Sequence, residues 1–224
     1  MSVAALLLLV QLVQAQTTMV STAASPVVGG PVTNLPGLVI HGGDEKHVEA
    51  AGKVCLTDGI LEFIAVEREG RDYESLFALE CRPSAMQFAL LLIGAEPGAP
   101  PHKAGPGEKP GDRLLIEAEW ALEGKTTRVP VHQLLIQRSN SKPLADASWI
   151  FTGSYFIKDI AGKELFIADA EQAFISLWWN KAIPINLGAD HGNPYRAEDQ
   201  GFRANTKALP PVGTAIKLIL RKAP

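Results

Sequence analysis

The sequence predicts an α+β domain: mainly antiparallel sheet, about nine short strands, around one buried helix near residues 83–93. Three observations lead there. One segment, Pro83 to Ile93, is apolar nearly all round and has both ends marked. Most of the remainder is short runs of alternating or β-branched residues, broken by Gly and Pro. The length, 224 residues, suits a single β-rich domain.

Residues 1–15, MSVAALLLLVQLVQA, form an apolar run ending in Val13-Gln14-Ala15, which resembles a signal-peptidase site. The run is too short for a comfortable membrane span, and no later apolar run approaches spanning length, so no span is expected after its removal. Neither cysteine lies near the cleavage position, so a lipid anchor is not indicated. Residues 16–37 are rich in Thr, Ser, Ala, Pro and Gly and read as a flexible leader. One domain is then expected over 38–222, in a periplasmic or secreted protein. Removing residues 1–15 takes away no charge, so the formal net charge stays at −3. A weakly acidic chain without a basic run offers nothing to nucleic acid.

Brief strands are expected at 38–40 and 47–56, and Thr57-Asp58-Gly59 turns into a hairpin. With Gly70 at its tip, Leu61 faces Leu79, Phe63 faces Phe77 and Ala65 faces Ser75, which collects one apolar set on a single face. If residues 47–56, 60–67 and 72–81 form a simple meander, Cys55 and Cys81 occupy its outer strands. Such strands lie about 9–10 Å apart, beyond the roughly 7 Å limit for bridged Cα atoms. Two free thiols are therefore expected.

Pro83 suits the first position of the helix, Gly94 a C′ residue, and Pro97 prevents resumption. Phe88 and Leu91 are both expected in the core. Glu96 to Asp112, dense in Pro and Gly, is a surface loop long enough to act as a lid. Strands follow at 115–120, 126–135, 148–157, 165–168 and 174–179. A long irregular segment, 186–209, precedes a closing strand at 215–220.

Several motifs converge on one resemblance. Leu61-Glu62-Phe63-Ile64-Ala65-Val66, Tyr73-Glu74-Ser75, the helix ending in Ile93-Gly94-Ala95-Glu96-Pro97-Gly98, Trp149-Ile150-Phe151-Thr152-Gly153-Ser154 and Pro211-Val212-Gly213-Thr214 are similar to the YdjY-type domain of bacterial envelope proteins. The similarity runs from Gly37 to the C-terminus. It implies an exported bacterial setting and no particular reaction. Members usually carry His where this chain has Tyr73, which removes one potential ligand or base.

The chemistry-bearing residues are sparse. Ser154 sits in Thr-Gly-Ser-Tyr and lacks the G-x-S-x-G elbow of a nucleophile. Glu74 and Glu80 stand about 20 Å apart on a strand, too far for a glycosidase pair. Glu74 is expected half-exposed at a strand end, paired with a neighbour such as Arg71. His41, Asp44, Glu45 and His47 cluster in sequence, as do Asp190 and His191, yet neither group has a standard metal-ligand spacing. Two cysteines exclude a four-thiolate cluster, and no phosphate-cradling Gly motif is present, so no cofactor and no metal are expected. Of Trp178 and Trp179, one is expected inward and one under a loop or outward.

No catalytic residue is assigned. The ligand-binding candidates are Tyr73, Glu74, Ser75, Trp149, Ser154 and Trp179. The expected role is a binding or assembly module for an unidentified protein or small-molecule ligand. The alternative is a hydrolase of envelope material using Glu74 or Ser154.

Overall fold

The computed structural model describes residues 32–99, 103, 105 and 107–224. The expected signal segment lies outside the described residues. The fold is a closed barrel of eight strands, not a sheet around a helix. The prediction of an α+β domain is therefore corrected, and the reasons lie in three places along the chain.

The first half begins with β1 (Val32–Leu35) and β2 (Leu38–His41), an antiparallel pair. β3 (His47–Val54) follows, then the two-residue β4 (Ile60–Leu61), β5 (Phe63–Glu67) and β6 (Ser75–Leu79). Helix α1 spans Pro83–Leu92. After the long loop come β7 (Arg113–Leu122), β8 (Lys125–Pro130) and β9 (Leu135–Gln137). The last third holds β10 (Trp149–Phe151), the hairpin β11 (Phe156–Lys158) and β12 (Glu164–Phe166), and the short α2 (Ile167–Glu171). β13 (Ala173–Ser176), β14 (Ile185–Leu187), β15 (Phe202–Ala204) and β16 (Ala215–Lys222) complete it.

The barrel runs β3-β16-β7-β10-β14-β13-β5-β6 and closes by pairing β6 back to β3. Closure removes exposed sheet edges. Two long strands make the geometry work by sharing an edge between two partners. β3 pairs with β2 over His47–Ala50 and then with β6 over Gly52–Val54. β7 pairs with β10 at its start and with β8 from Glu117 onward. Gly52 stands where β3 changes partner, and a Cβ there would meet the Ala78 carbonyl oxygen at 2.6 Å. Only glycine fits so close a crossing of backbones.

The expected hairpin at Gly70 does not form. β5 and β6 are parallel, with Phe63 level with Ser75 and Ala65 with Phe77. Residues 68–74, including a 3-10 turn at Asp72–Glu74, carry the chain back alongside β5. Period-2 alternation misassigned the register because both faces here are covered: Phe63 to Val66 and all of Ser75–Leu79 are buried. A strand wet on neither side carries no alternation to read. Phe63 and Val66 pack with Ala173 and Ile183 in a cluster separate from the main core.

Helix α1 is the second correction. Its buried residues are Pro83, Met86, Ala89 and Leu90, with Ile93 just beyond, and from Met86 they are spaced i, i+3, i+4, i+7. Phe88 (51% exposed), Leu91 (46%) and Leu92 (51%) face outward, so the helix lies on the barrel with one side free. The core is made instead by the inner faces of the strands, with Trp149, Phe77, Phe151, Phe174 and Phe202 among its largest buried side chains.

The third is strand count. The single strand expected over 148–157 breaks at Gly153, whose φ of +70° turns the chain between β10 and β11. The segment expected to be irregular supplies β15, with β14 beginning one residue before it.

The meander behind the cysteine argument is absent too, since β6 and not β5 lies beside β3. The thiols are free nonetheless. The Cys55 N–H donates to Leu76 O, and Cys81 lies two residues past Leu79, the partner of Gly52. The two cysteines are thus offset by several residues, on the order of 15 Å, along neighbouring strands.

Candidate functional site

The segment after β10 is tied down by its own side chains. Thr152 Oγ1 lies 3.1 Å from Ile183 O and 3.2 Å from Pro184 O, and it accepts from the fully buried Asn186 Nδ2 at 2.8 Å. Ser154 Oγ donates to Ala182 O at 2.7 Å, and its N–H donates to Gln87 Oε1 of α1 at 2.7 Å. These bonds satisfy groups that the strand ladder leaves open where β10 ends.

Above this floor lies a cleft of about 630 Å³. Ser154, Tyr155 and Trp179 line it together with Lys103, Lys109 and Lys181, and Glu108 is the one acidic residue among its described lining. The Lys181 ammonium stands 5.7 Å from the centre of the Tyr155 ring. Lys109 is paired with Glu96. The long loop expected from the sequence thus forms one wall. A neighbouring cleft of about 350 Å³ shares Trp179 and Lys103 and adds Trp178 and Arg196. Both tryptophans are half-buried at this wall, and neither belongs to a strand.

Two exposed apolar sets lie near the cleft: Phe88, Leu91 and Leu92 on α1, and Phe156 (64% exposed), Ile157 and the fully exposed Ile160 on the β11–β12 hairpin that follows the cleft residue Tyr155. Hydrogen bonds hold α1 beside both ends of that hairpin. Gln87 takes the Ser154 N–H at its start, and Ser84 bonds through its N–H and hydroxyl to Asp169, three residues past its end, at 2.8 Å each.

The other candidates from the sequence fall elsewhere. Glu74 is buried with Glu62 beneath Arg71. Arg71 Nε lies 3.8 Å from Glu74, Nη1 3.5 Å from Glu62 and Nη2 3.0 Å from Glu171, while its guanidinium covers the Phe63 ring at 4.4 Å. The Tyr195 hydroxyl donates to Glu74 Oε2 at 2.8 Å. Burial, followed by the Glu74 charge, pushes the Glu62 carboxyl above its ordinary range. Burial and the bond to Glu74 push the Tyr195 phenol up to about 12. Ser75 Oγ is spent on Arg71 O at 3.0 Å, Tyr73 is exposed, and Trp149 is a core residue.

The structure therefore joins Ser154 to Trp179, and separately Tyr73, Glu74 and Ser75, with Trp149 at neither place. The expected Arg71–Glu74 pair is present. Nothing local in the sequence links Tyr195 or Glu62 to Glu74; residue 195 meets residue 74 only across the fold.

Strand geometry also assembles His41, His47 and Glu49 on one face of β2 and β3. Burial works to raise the Glu49 carboxyl, but the hydrogen bond and charge of Lys217, with His41 and His47, outweigh it and hold the carboxyl below its ordinary value.

A closed, mostly antiparallel barrel with a cationic, aromatic-walled cleft defines a β-barrel domain. Its family follows from comparison: a family model of the YdjY domain matches residues 42–221, and the chain belongs to that family. No curated protein and no solved structure matches the chain.

Proposed function

We propose that this chain is an exported protein of the bacterial envelope that works as a binding or assembly module without chemistry of its own. The observation that carries this reading is the exposed apolar face of α1. Phe88, Leu91 and Leu92 recur at i, i+3 and i+4 on one helix, about half exposed, and hydrogen bonds seat that helix beside the hairpin that exposes Phe156 and Ile160. Apolar groups gathered this way on a water-exposed surface mark a contact site. The occupant we infer is a partner protein with an apolar patch, its polar rim reaching the lysines of the adjoining cleft.

The hydrolase alternative gains no support. The Ser154 hydroxyl proton is committed to Ala182 O, and Glu74 is shielded by Arg71 and Tyr195. Export is supported by the uncharged apolar run and by Val13-Gln14-Ala15. Mature protein from the host should begin at or near Gln16 by mass spectrometry.

The test of the module is a photo-crosslinking residue placed at position 88 or 156 in cells. Both positions should yield one shared crosslinked species, and position 128 on β8 none. Absence of any adduct at 88 and 156, or an identical pattern at all three, would overturn the assignment.

A further inference from the structure

We propose that His41, His47 and Glu49 form a divalent-metal site that takes zinc. The ligand set is written in strand register and not in sequence spacing. His41 and His47 are directly opposed across the β2–β3 pair. Glu49, two residues on from His47, projects from the same face. One potential ligand atom from each of the three lies within 4.8 Å of the others.

Three details favour a metal over an ordinary polar cluster. The first is the tautomer of His47. Its Nδ1–H donates to Glu45 O at 2.8 Å, which leaves the Nε2 lone pair on the side of Glu49, 3.8 Å from Oε1. A backbone carbonyl that fixes the far nitrogen is the usual outer support of a metal-bound imidazole. The second is an orphan: His41 Nε2 is shut off from solvent and has no hydrogen-bond partner among the described residues, yet it points toward Glu49 Oε2 at 3.7 Å. A buried polar atom without a partner calls for an explanation, and an ion supplies one. The third is access. His47 forms part of the wall of an open cleft of about 470 Å³, so an ion can reach the site from solvent.

The donor chemistry sets the class of ion. Two imidazole nitrogens and one carboxylate oxygen suit zinc and its close neighbours, not calcium or magnesium. Three protein ligands leave a coordination position free for water. Binding must open the imidazole pair, whose rings now stack 4.1 Å apart and only 8° from parallel. A metal lies in the plane of each ring that binds it, so two stacked rings cannot share one ion until they tilt. Lys217 opposes binding: its ammonium holds Glu49 Oε1 at 3.0 Å, with Glu119 3.3 Å away on its other side.

That opposition provides a discriminating test. Tag-free mature protein is titrated with Co²⁺, whose visible absorption reports a nitrogen-containing tetrahedral site, and the signal is then chased with Zn²⁺. We expect one cobalt per chain, displaced by zinc. His41→Ala and His47→Ala should each lose the signal, and His132→Ala and His191→Ala should keep it. Lys217→Met should tighten binding roughly tenfold by removing a competing charge. Circular dichroism establishes that each variant is folded; should either histidine variant fail to fold, Lys217→Met decides alone. No cobalt signal in the unaltered protein, a signal that survives loss of both His41 and His47, or weaker binding in folded Lys217→Met would each overturn the site. None of these outcomes bears on the crosslinking at positions 88 and 156.

Discussion

The two sides of the barrel solve the same packing problem in opposite ways. On one side β3, β16 and β7 are eight to ten residues long, antiparallel, and dry on one face only. Their outer face carries charge in cross-strand rows: Glu49, Lys217 and Glu119 in one, Arg128 and Arg221 on Glu117 in another. On the other side β5, β6, β13 and β14 have three to five residues each, and include the parallel pairs β5–β6 and β13–β14. These strands are buried on both faces, and their polar groups are inside: Ser75, Ser176 and Asn186 within them, with Glu62 and Glu74 beside them. Where one face meets water, charge can be placed freely and screened cheaply. Where neither does, every polar atom needs a partner, as Asn186 has in Asn180, Ile183 and Thr152.

The largest effect expected from this contrast is in the core of the short-strand side. Phe77→Ala removes a fully buried ring from β6 and should cost about 3–5 kcal/mol in urea unfolding. Phe88→Ala, on the free side of α1, should change stability by no more than about 0.5 kcal/mol. A large loss from Phe88→Ala would return the helix to the interior, where the sequence had placed it.

The next effect concerns two carboxyl groups and opposite responses to pH. Glu62 has its folded value raised above the ordinary 4.5, by burial first and then by Glu74. Its contribution is therefore fully present below that value and fades as pH rises through the raised one. Glu49 has its folded value lowered, because Lys217 and the two histidines outweigh burial. Its contribution is present above 4.5 and fades as pH falls through the lowered value. Glu62→Gln should accordingly be better tolerated near pH 7 than near pH 4, and Glu49→Gln the reverse. Stability curves for both variants against the unaltered protein measure this directly, and parallel curves would mean that the two sides share one electrostatic environment.

The contrast also explains what the sequence disclosed. β3, β7 and β16 were legible because Val48, Ala50, Gly52 and Val54, or Leu114, Ile116, Ala118 and Trp120, alternate against exposed or half-exposed neighbours. The short strands were not. Phe63 to Val66 is one continuous apolar run, equally consistent with an antiparallel hairpin and with the parallel pair that forms. α1 misled for a related reason: composition cannot distinguish a helix buried all round from one whose second apolar face is left free. At the sites, Ser154 and Trp179 each stand out in the sequence alone, but their shared cleft depends on the path of residues 180–187. His41 and His47 cluster in sequence, but Glu49 joins them only in strand register, because that spacing exists across strands and not along the chain.

The smallest effect lies at the seam where the two sides meet, the pairing of β3 with β6. Cys55 ends the long-strand side and Cys81 follows the short-strand side. Burial, chiefly, pushes both thiols up to about 12, so neither is a ready nucleophile. Cys55 is only partly buried, and its Sγ donates to Ser75 O at 3.1 Å. Cys81 has almost no exposed surface. With iodoacetamide at pH 8, Cys55 should be modified slowly in the folded protein and Cys81 only after unfolding. This ordering comes from the register, which sets Cys55 at the open end of β3 and Cys81 at the entry to α1. Mass analysis that found Cys81 modified first, or a native bridge between the two, would require β6 to slide along β3. Gly52 could then no longer be the residue at the Ala78 crossing, and the two sides would be joined at a different place.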